Sequence, residues 1–338
     1  MDDAPVVLAV DGNSLVHRSY HAQAHTGHAA WAVRGLLTQL VAAVDRVRPV
    51  AVVVGFDDPD SSRRRERWPS YKANRTEKLD TLVEQLTEAA AALRRLGIAV
   101  VVPPALEADD VLASAAAFAP TRNARTVVVT SDRDAFALID EHTSVLRIIN
   151  GGVEASPMMT AERLVLLLGV RPEQYRDFAA LRGDPSDNLP GVRGIGPRTA
   201  ARLLAEFGTA AAAFDDLDSV RDRIGAGAAA RMAAPGARAA WELNCQVMTM
   251  HRDVELDLDL AAGPGVLPLP AAVVAGVFRG HNLTWSVGPA VRVLAEVEPG
   301  DLPASEPAEA MAWSPRPARR LPPLPPRRPR IEQLSLFD

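Results

Sequence analysis

The sequence predicts an α/β fold: a mainly parallel central sheet with crossover helices, followed by a helical subdomain. Three observations carry this. Five short β-type runs alternate with helical patterns before residue 150. The first four are β-branched and almost continuously apolar, as strands buried on both faces must be. After about residue 155 the pattern becomes mainly helical.

Taken in order, Val6 to Val10 is the first strand and ends at Asp11-Gly12. Val50 to Phe56 ends at Asp57-Asp58-Pro59. Leu79, Leu82, Val83, Leu86, Leu93 and Leu96 keep helical spacing, and Gly97 stops that helix. Ile98 to Val102 leads into Pro103-Pro104, Thr126 to Thr130 into Ser131-Asp132, and Ser144 to Ile149 into Asn150-Gly151-Gly152. Such strand–helix alternation specifies a parallel sheet. Thr160 caps a helix running to Gly169, Pro172 starts one that stops near Gly183, and Pro197 starts a third. An Ala-rich pair is read over Asp215 to Met250. The expected domains are 1–155 (α/β, with a basic arch at about 60–95), 156–260 (helical) and 261–298 (an extension of undefined pattern). Ten prolines between 299 and 329 predict a disordered Pro/Arg-rich linker over 299–330, before a terminal peptide at 331–338.

Composition narrows the class. With 338 residues, 48% hydrophobic and 23% charged, the chain holds enough apolar surface for about two domains. Whole-chain disorder, collagen and a disulfide scaffold are excluded. The lone Cys245 fits a reducing compartment. No apolar run approaches the ~20 residues of a membrane helix, and the acidic start Met1-Asp2-Asp3 does not resemble a signal peptide. A cytoplasmic, nucleoid-associated monomer without membrane attachment is expected. The 42 acids exceed the 37 bases, so the chain is no uniformly basic DNA-coating protein. Its bases are concentrated instead: seven lie between Arg63 and Lys78 against two acids, and six lie between Arg316 and Arg330 against none. An acidic body with basic segments permits a polyanionic partner.

The acids carry the chemistry. In open α/β sheets, sites form beyond the carboxyl ends of the strands. Asp11, Asp57, the Glu107-Ala-Asp109-Asp110 group and Asp132-Arg-Asp134 each follow a successive strand, and Asp184-Pro-Ser-Asp187 opens the helical part. Like charges ~4 Å apart repel by about 4 kcal/mol at an effective dielectric of 20, so nine converging carboxylates require protons or cations. An oxygen-only donor set favours Mg²⁺ or Mn²⁺. Two such ions about 4 Å apart are suited to in-line attack on a phosphodiester. No Walker loop, G-x-S-x-G elbow or G-x-G-x-x-G turn competes with this reading.

Leu189 to Leu204 reads as a helix–hairpin–helix. Gly194 and Gly196 let a phosphate approach backbone N–H groups at a helix start, with Thr199 in its first turn. Val192, Ile195, Ala200 and Leu203 pack the interior, while Arg193, Arg198 and Arg202 add charge. Such contacts grip a DNA backbone without reading sequence.

Six stretches occur in the order of a known family: Asp11-Gly-Asn-Ser-Leu-Val-His-Arg18, Phe56-Asp57, Tyr71-Lys72-Ala-Asn-Arg75, Glu107-Ala-Asp-Asp110, Thr130-Ser-Asp-Arg-Asp134 and Gly183 to Ala200. On these residues the chain is similar to the bacterial 5′-nuclease (flap endonuclease) family, best known as the N-terminal domain of DNA polymerase I, in a stand-alone form. The resemblance implies the PIN-like 5′-nuclease fold and removal of 5′ flaps and RNA-primer remnants during replication and repair. It groups Asp11, Asp57, Glu107, Asp109 and Asp110 around one metal ion. Asp132, Asp134, Asp184 and Asp187 would surround the second. Lys72 and Arg75 resemble the basic pair on the scissile phosphate, Tyr71 a base-stacking platform and Arg18 a phosphate contact. K⁺ at the hairpin is also implied. Ser131 stands where the family usually has Gly. Two alternatives remain open at this point: a junction binder with negligible catalysis and a PIN-like ribonuclease. Finally, Gln333-Leu334-Ser335-Leu336-Phe337 looks like the bacterial sliding-clamp-binding pentapeptide. Its leucines and Phe337 would fill an apolar groove while the tether raises the local concentration of enzyme.

Overall fold

Runs of Val and Ala without polar interruption can leave neither face in water. In the computed structural model they form a six-stranded sheet covered on both sides. The structure describes residues 4–23, 30–76 and 78–298, all within one compact unit. The strands are β1 (Val6–Asp11), β2 (Ala51–Gly55), β3 (Ala99–Val101), β4 (Arg125–Thr130), β5 (Thr143–Arg147) and β6 (Met158–Met159). Their order is β3-β2-β1-β4-β5-β6. The first five pair in parallel, and β6 runs antiparallel to β5. A two-residue strand has too little periodicity to be read in advance.

Because β1 lies between β2 and β4, the strand order reverses there. This is the crevice in which doubly wound sheets place their sites. Alternate residues of the strands feed two cores. Val7, Ala9, Val53 and Val128 join a core that continues into the helical part, including Phe178, Leu203 and Trp241. Leu8, Val10, Val54 and Val129 join the opposite core. The helical part and one sheet face therefore share a single interior.

Helices α1 (Gly12–Gln23), α2 (Trp31–Val47), α3 (Arg63–Arg67), α4 (Asp80–Leu96) and α5 (Ala108–Phe118) connect the strands. Gly97, at φ 92°, ends α4 as expected. The predicted apolar stripe on α4 is only partly buried. Leu82, Leu93 and Leu96 are covered, whereas Leu79 is 64% exposed and Val83 42% exposed. Buried Gln85 ties α4 to α2 by accepting the Ala32 N–H at 2.7 Å.

After α6 (Gly152–Ala155) and α7 (Ala161–Leu168) come α8 (Tyr175–Arg182) and α9 (Pro197–Phe207). After α10 (Ala210–Asp215), the stretch read as an Ala-rich pair over Asp215 to Met250 forms three helices: α11 (Leu217–Arg223), α12 (Ala226–Met232) and α13 (Ala237–Val247). Gly225 and Gly236, both at positive φ, interrupt what composition suggests is continuous. Residues 261–298 resolve into α14 (Ala271–Gly280) and α15 (Val287–Leu294), whose Phe278, Val291 and Leu294 close the second core. Ahead of them Val266 pairs antiparallel with Ala51, covering the edge of β2 that short β3 leaves open. Among the described residues no helix is long and apolar enough to cross a membrane. The predicted linker and the Gln333–Phe337 peptide lie outside the described residues.

Candidate metal centre and nucleic-acid interface

Each strand-end acid is positioned by its own local device. Asp11 closes β1; one oxygen accepts the Ser14 N–H at 2.8 Å and the other the Thr130 hydroxyl at 2.8 Å. Thr130 Oγ1 accepts the Asp132 N–H at 3.0 Å, and Asp132 Oδ1 accepts that of Asp134 at 3.0 Å. The ends of β1 and β4 are thus tied into one chain of hydrogen bonds. Asp57 beyond β2 accepts from Asn13 Nδ2 at 2.7 Å and from Ala108 N at 3.0 Å, which fixes it against the start of α5. Ser131, standing for the expected glycine, pairs its hydroxyl with Ser14 at 2.5 Å.

The second acidic loop is held by glycine geometry. Gly183 (φ 78°, ψ 171°) and Gly191 lie back to back across the short antiparallel pair Gly183–Asp184 and Leu189–Pro190. A Cβ on Gly183 would sit 2.2 Å from Gly191 N, and one on Gly191 would sit 2.3 Å from the Arg182 carbonyl. Only glycine fits at both places. Between them Asp184 accepts from Ser186 N at 2.8 Å, and Asp187 is buried.

Glu107, Asp109, Asp132, Asp134 and Asp187 line one recess with Lys72, Tyr71 and Arg64. Asp11 and Asp57 act electrostatically on one another, Asp11 also faces Asp132 and Asp109, and Asp184 faces Asp134. Burial, followed by neighbouring carboxylates, pushes Asp11 up to about 7 and Asp134 up to about 8. Burial and the charges of Asp132 and Asp11 drive Asp109 upward as well. Carboxylates held in this condition by the fold form a hard-oxygen set short of positive charge, and divalent cations fit it. Among the described residues, no three such side chains stand in a ready-made cage.

Basic side chains partly meet the deficit. Lys72 Nζ lies 2.9 Å from Glu107 Oε1, and Arg75 bonds Asp187. Burial disfavours the charged Lys72, yet Glu107 and Asp187 outweigh it and raise its pKa. Lys72 occupies a left-handed backbone conformation at φ 56°, where its N–H donates to Asp187 O at 2.9 Å. The adjacent Asn74 side chain donates to Asn188 at 2.9 Å. The Tyr71–Arg75 segment is therefore docked on the Asp184–Asn188 loop.

Two expectations change. Tyr71, expected as a stacking platform, is only 5% exposed, packed with Leu189 and Val247. Its hydroxyl donates to Glu107 Oε2 at 3.0 Å, so its ring offers no open face to a base. Asp110 is 0% exposed and turned from its neighbours' recess. Its Oδ2 accepts from Arg64 and Glu107 N, and its Oδ1 from Arg64 and His251 N. Burial raises its pKa but the Arg64 bonds prevail and hold it below the ordinary carboxylate value. Arg64 was not distinguishable in sequence within the run Arg63-Arg64-Arg65, although it alone of the three is buried.

Arg18 donates to Asn150 Oδ1 at 3.1 Å from the α1 face. In the hairpin, Val192, Ile195, Ala200 and Leu203 are buried as expected, while Arg193 and Arg198 are exposed. Gly194 turns at φ 81°, Gly196 caps α9, and Thr199 is half-buried in its first turn. A Cβ on Gly196 would meet nothing within 4 Å, whereas one on Gly194 would stand 2.7 Å from Arg231 Nε.

The raised acids have a consequence for stability. Above about pH 4 the unfolded chain releases protons that folded Asp11 and Asp134 retain, so stability falls as pH rises through about 7 to 8. We expect the urea midpoint in chelator to drop between about pH 5 and pH 8.5, by a few kcal/mol in stability. Added Mg²⁺ should restore it at the higher pH. A midpoint that rises with pH in chelator would contradict this electrostatic picture.

The sequence profile of the 5′-3′ exonuclease N-terminal resolvase-like domain matches residues 6–166, and that of the 5′-3′ exonuclease C-terminal SAM fold matches residues 170–265. DNA polymerase I of Mycobacterium tuberculosis is 38% identical over 227 residues, covering 65% of this chain and 25% of that protein. Thermostable DNA polymerase I of Thermus thermophilus is 35% identical over 257 residues, covering 75% and 29%. The chain thus spans about a quarter of the length of these relatives. In fold it is similar to phage T5 5′-exonuclease with bound zinc (TM-score 0.56, 18% identity, 86% of this chain and 94% of that one). It is likewise similar to the catalytic core of Rad2 in complex with DNA substrate (TM-score 0.54, 17% identity, 87% and 92%). With the two profiles together covering its sheet, acidic edge and hairpin between residues 6 and 265, the chain belongs to the 5′-3′ exonuclease family.

Proposed function

We propose that this protein is a divalent-metal-dependent 5′ nuclease that removes 5′ flaps and RNA-primer remnants in DNA replication and repair. What supports the reading is the recess lined by Glu107, Asp109, Asp132, Asp134 and Asp187 beside Lys72 and Arg75, with Asp11 acting on Asp109 and Asp57 on Asp11 through their charges. Asp11, Asp57, Glu107 and Asp109 would hold one ion, and Asp132, Asp134, Asp184 and Asp187 the second. Mg²⁺ or Mn²⁺ bound there supplies charge to activate water and to stabilise the phosphate during hydrolysis. Lys72 and Arg75, which pair with Glu107 and Asp187, would turn to the scissile phosphate once cations satisfy those acids. Asp11 is held in orientation by Thr130, and Asp57 by Asn13. The start of α9, with Gly194, Gly196, Thr199, Arg193 and Arg198, would grip the duplex backbone, with K⁺ at the hairpin turn and Arg18 on a further phosphate.

A 5′-labelled flap duplex incubated with Mg²⁺ or Mn²⁺ tests this directly. Chelator-sensitive release of the flap, leaving a 5′-phosphate and a 3′-hydroxyl, is the expected result. Binding without turnover, or cleavage that survives chelator, would refute it. Single-stranded RNA in place of the flap should be a poor substrate, because the hairpin presents its donors to a duplex.

The tail belongs to the same proposal. Gln333, Leu334, Ser335, Leu336 and Phe337 would dock on the sliding clamp. Deleting residues 333–338 should abolish clamp binding in a pull-down or calorimetric titration while leaving cleavage of free flap DNA unchanged. Equal clamp affinity after truncation would overturn that assignment.

A further inference from the structure

Arg64 lies at the base of the segment read as the arch, on a single helical turn that Ser62 caps by accepting the Arg65 N–H at 3.3 Å. A guanidinium carries five N–H donors in a fixed planar fork. All five of Arg64 are used. Nε donates to Val247 O at 3.0 Å. Nη1 donates to Glu107 Oε2 at 3.3 Å and Asp110 Oδ2 at 2.8 Å. Nη2 donates to Asp110 Oδ1 at 2.7 Å and Thr249 O at 2.9 Å. The acceptors belong to two segments remote from Arg64: the start of α5, and the exit from α13 in the helical part.

Asp110 is matched to this fork. Its two oxygens take two bonds from Arg64, one from Glu107 N at 3.0 Å and one from His251 N at 2.8 Å. Four donors use the four lone-pair directions of a carboxylate, leaving none for a cation. Glu107, three residues earlier, has one oxygen on Lys72 and the other on Tyr71 and Arg64.

We propose that Arg64 and Asp110 are positioning residues rather than members of the metal shell. Together they form a planar knot that fixes Glu107 and ties the arch base to both the sheet and the DNA-gripping helices. The inference rests on the metal-dependent reading of the acidic recess, and deepens it by removing Asp110 from the ligand set. A lysine cannot replace Arg64, since one ammonium cannot span four residues lying in different directions.

The test uses the full chain, with three readouts: Mn²⁺ stoichiometry by electron paramagnetic resonance, flap-cleavage kinetics, and circular dichroism to establish folding. Arg64→Lys and Asp110→Asn should each lower kcat about 100-fold, keep the flap KM within about threefold, and still bind two Mn²⁺. The double variant should be no slower than the worse single, because the two residues act as one unit. Loss of one Mn²⁺ from Asp110→Asn, or a double variant whose defects multiply to about 10,000-fold, would overturn the proposal. If either substitution unfolds the chain, crystals of the wild-type protein soaked in Mn²⁺ decide by anomalous scattering. Asp110 bonded to Arg64 with no ion in its coordination shell supports the knot, and an ion bonded to Asp110 overturns it. Failure of wild-type protein to bind any Mn²⁺ would instead sink the metal reading, and the knot would then stand or fall on the kcat cycle.

Discussion

Asp134→Asn is expected to lower flap cleavage by at least about 10³-fold at saturating Mg²⁺. The substitution keeps the side-chain shape and removes one charge from the group facing Asp132, Asp184 and Asp187. Burial, followed by those neighbours, pushes Asp134 up to about 8, so on the proposed reading a bound cation would hold it ionised. Folding should not suffer, because the neutral amide removes repulsion; a urea midpoint equal to or above wild type in chelator is the expected control. Affinity for flap DNA, measured in Ca²⁺, should stay within about threefold, since on the proposed reading the phosphate grip belongs to the hairpin and the arch. Single-turnover cleavage within about tenfold of wild type would remove Asp134 from the catalytic set. It would also weaken the two-ion reading, because Asp132, Asp184 and Asp187 would then lack the neighbour on which their charges converge.

Gly183→Ala should have the largest effect on stability. Its backbone combination of φ 78° and ψ 171° is one that residues with a Cβ scarcely adopt. The added methyl would stand 2.2 Å from Gly191 N and 2.6 Å from Leu189 O, which are backbone atoms unable to swing aside. Strain of about 1–3 kcal/mol adds to an overpacking cost of about 1–3 kcal/mol. A loss of roughly 3–5 kcal/mol in urea unfolding follows from these two terms. Function should fail as well, because the same glycine pair holds the loop that carries Asp184 and Asp187. Gly196→Ala is the informative contrast. Its φ of −88° is ordinary and no atom lies near the added carbon, so stability should change by under about 1 kcal/mol while DNA affinity drops. Equal stability losses in the two variants would show that the back-to-back packing at Gly183 contributes little.

The clustered acids and the docked bases also bear on each other. Lys72 and Arg75 hold carboxylates that, on the proposed reading, cations would otherwise claim. The left-handed Lys72 backbone and its bond to Asp187 O keep this segment in place without any metal. The pairings offset repulsion in the acidic recess, and on the proposed reading they also station the bases beside the scissile phosphate.

By itself, the sequence determined the strands and their acidic ends. A strand buried on both faces needs only local apolar continuity, and a polar residue that ends it must sit at the sheet edge. Val6 to Asp11 and Thr126 to Asp132 were legible for that reason, as was the interior of the hairpin at Val192, Ile195 and Leu203. Tertiary structure decided what depends on remote partners. It selected Arg64 from three adjacent arginines, because only that side chain points at Asp110 and at the Val247 and Thr249 carbonyls, 183 and 185 residues away. It turned Tyr71 inward onto Glu107, left Leu79 in solvent despite its helical spacing, and brought Val266 back to the edge of β2. Periodicity reports which face of an element is buried; it carries no information on which distant donor will saturate a given carboxylate.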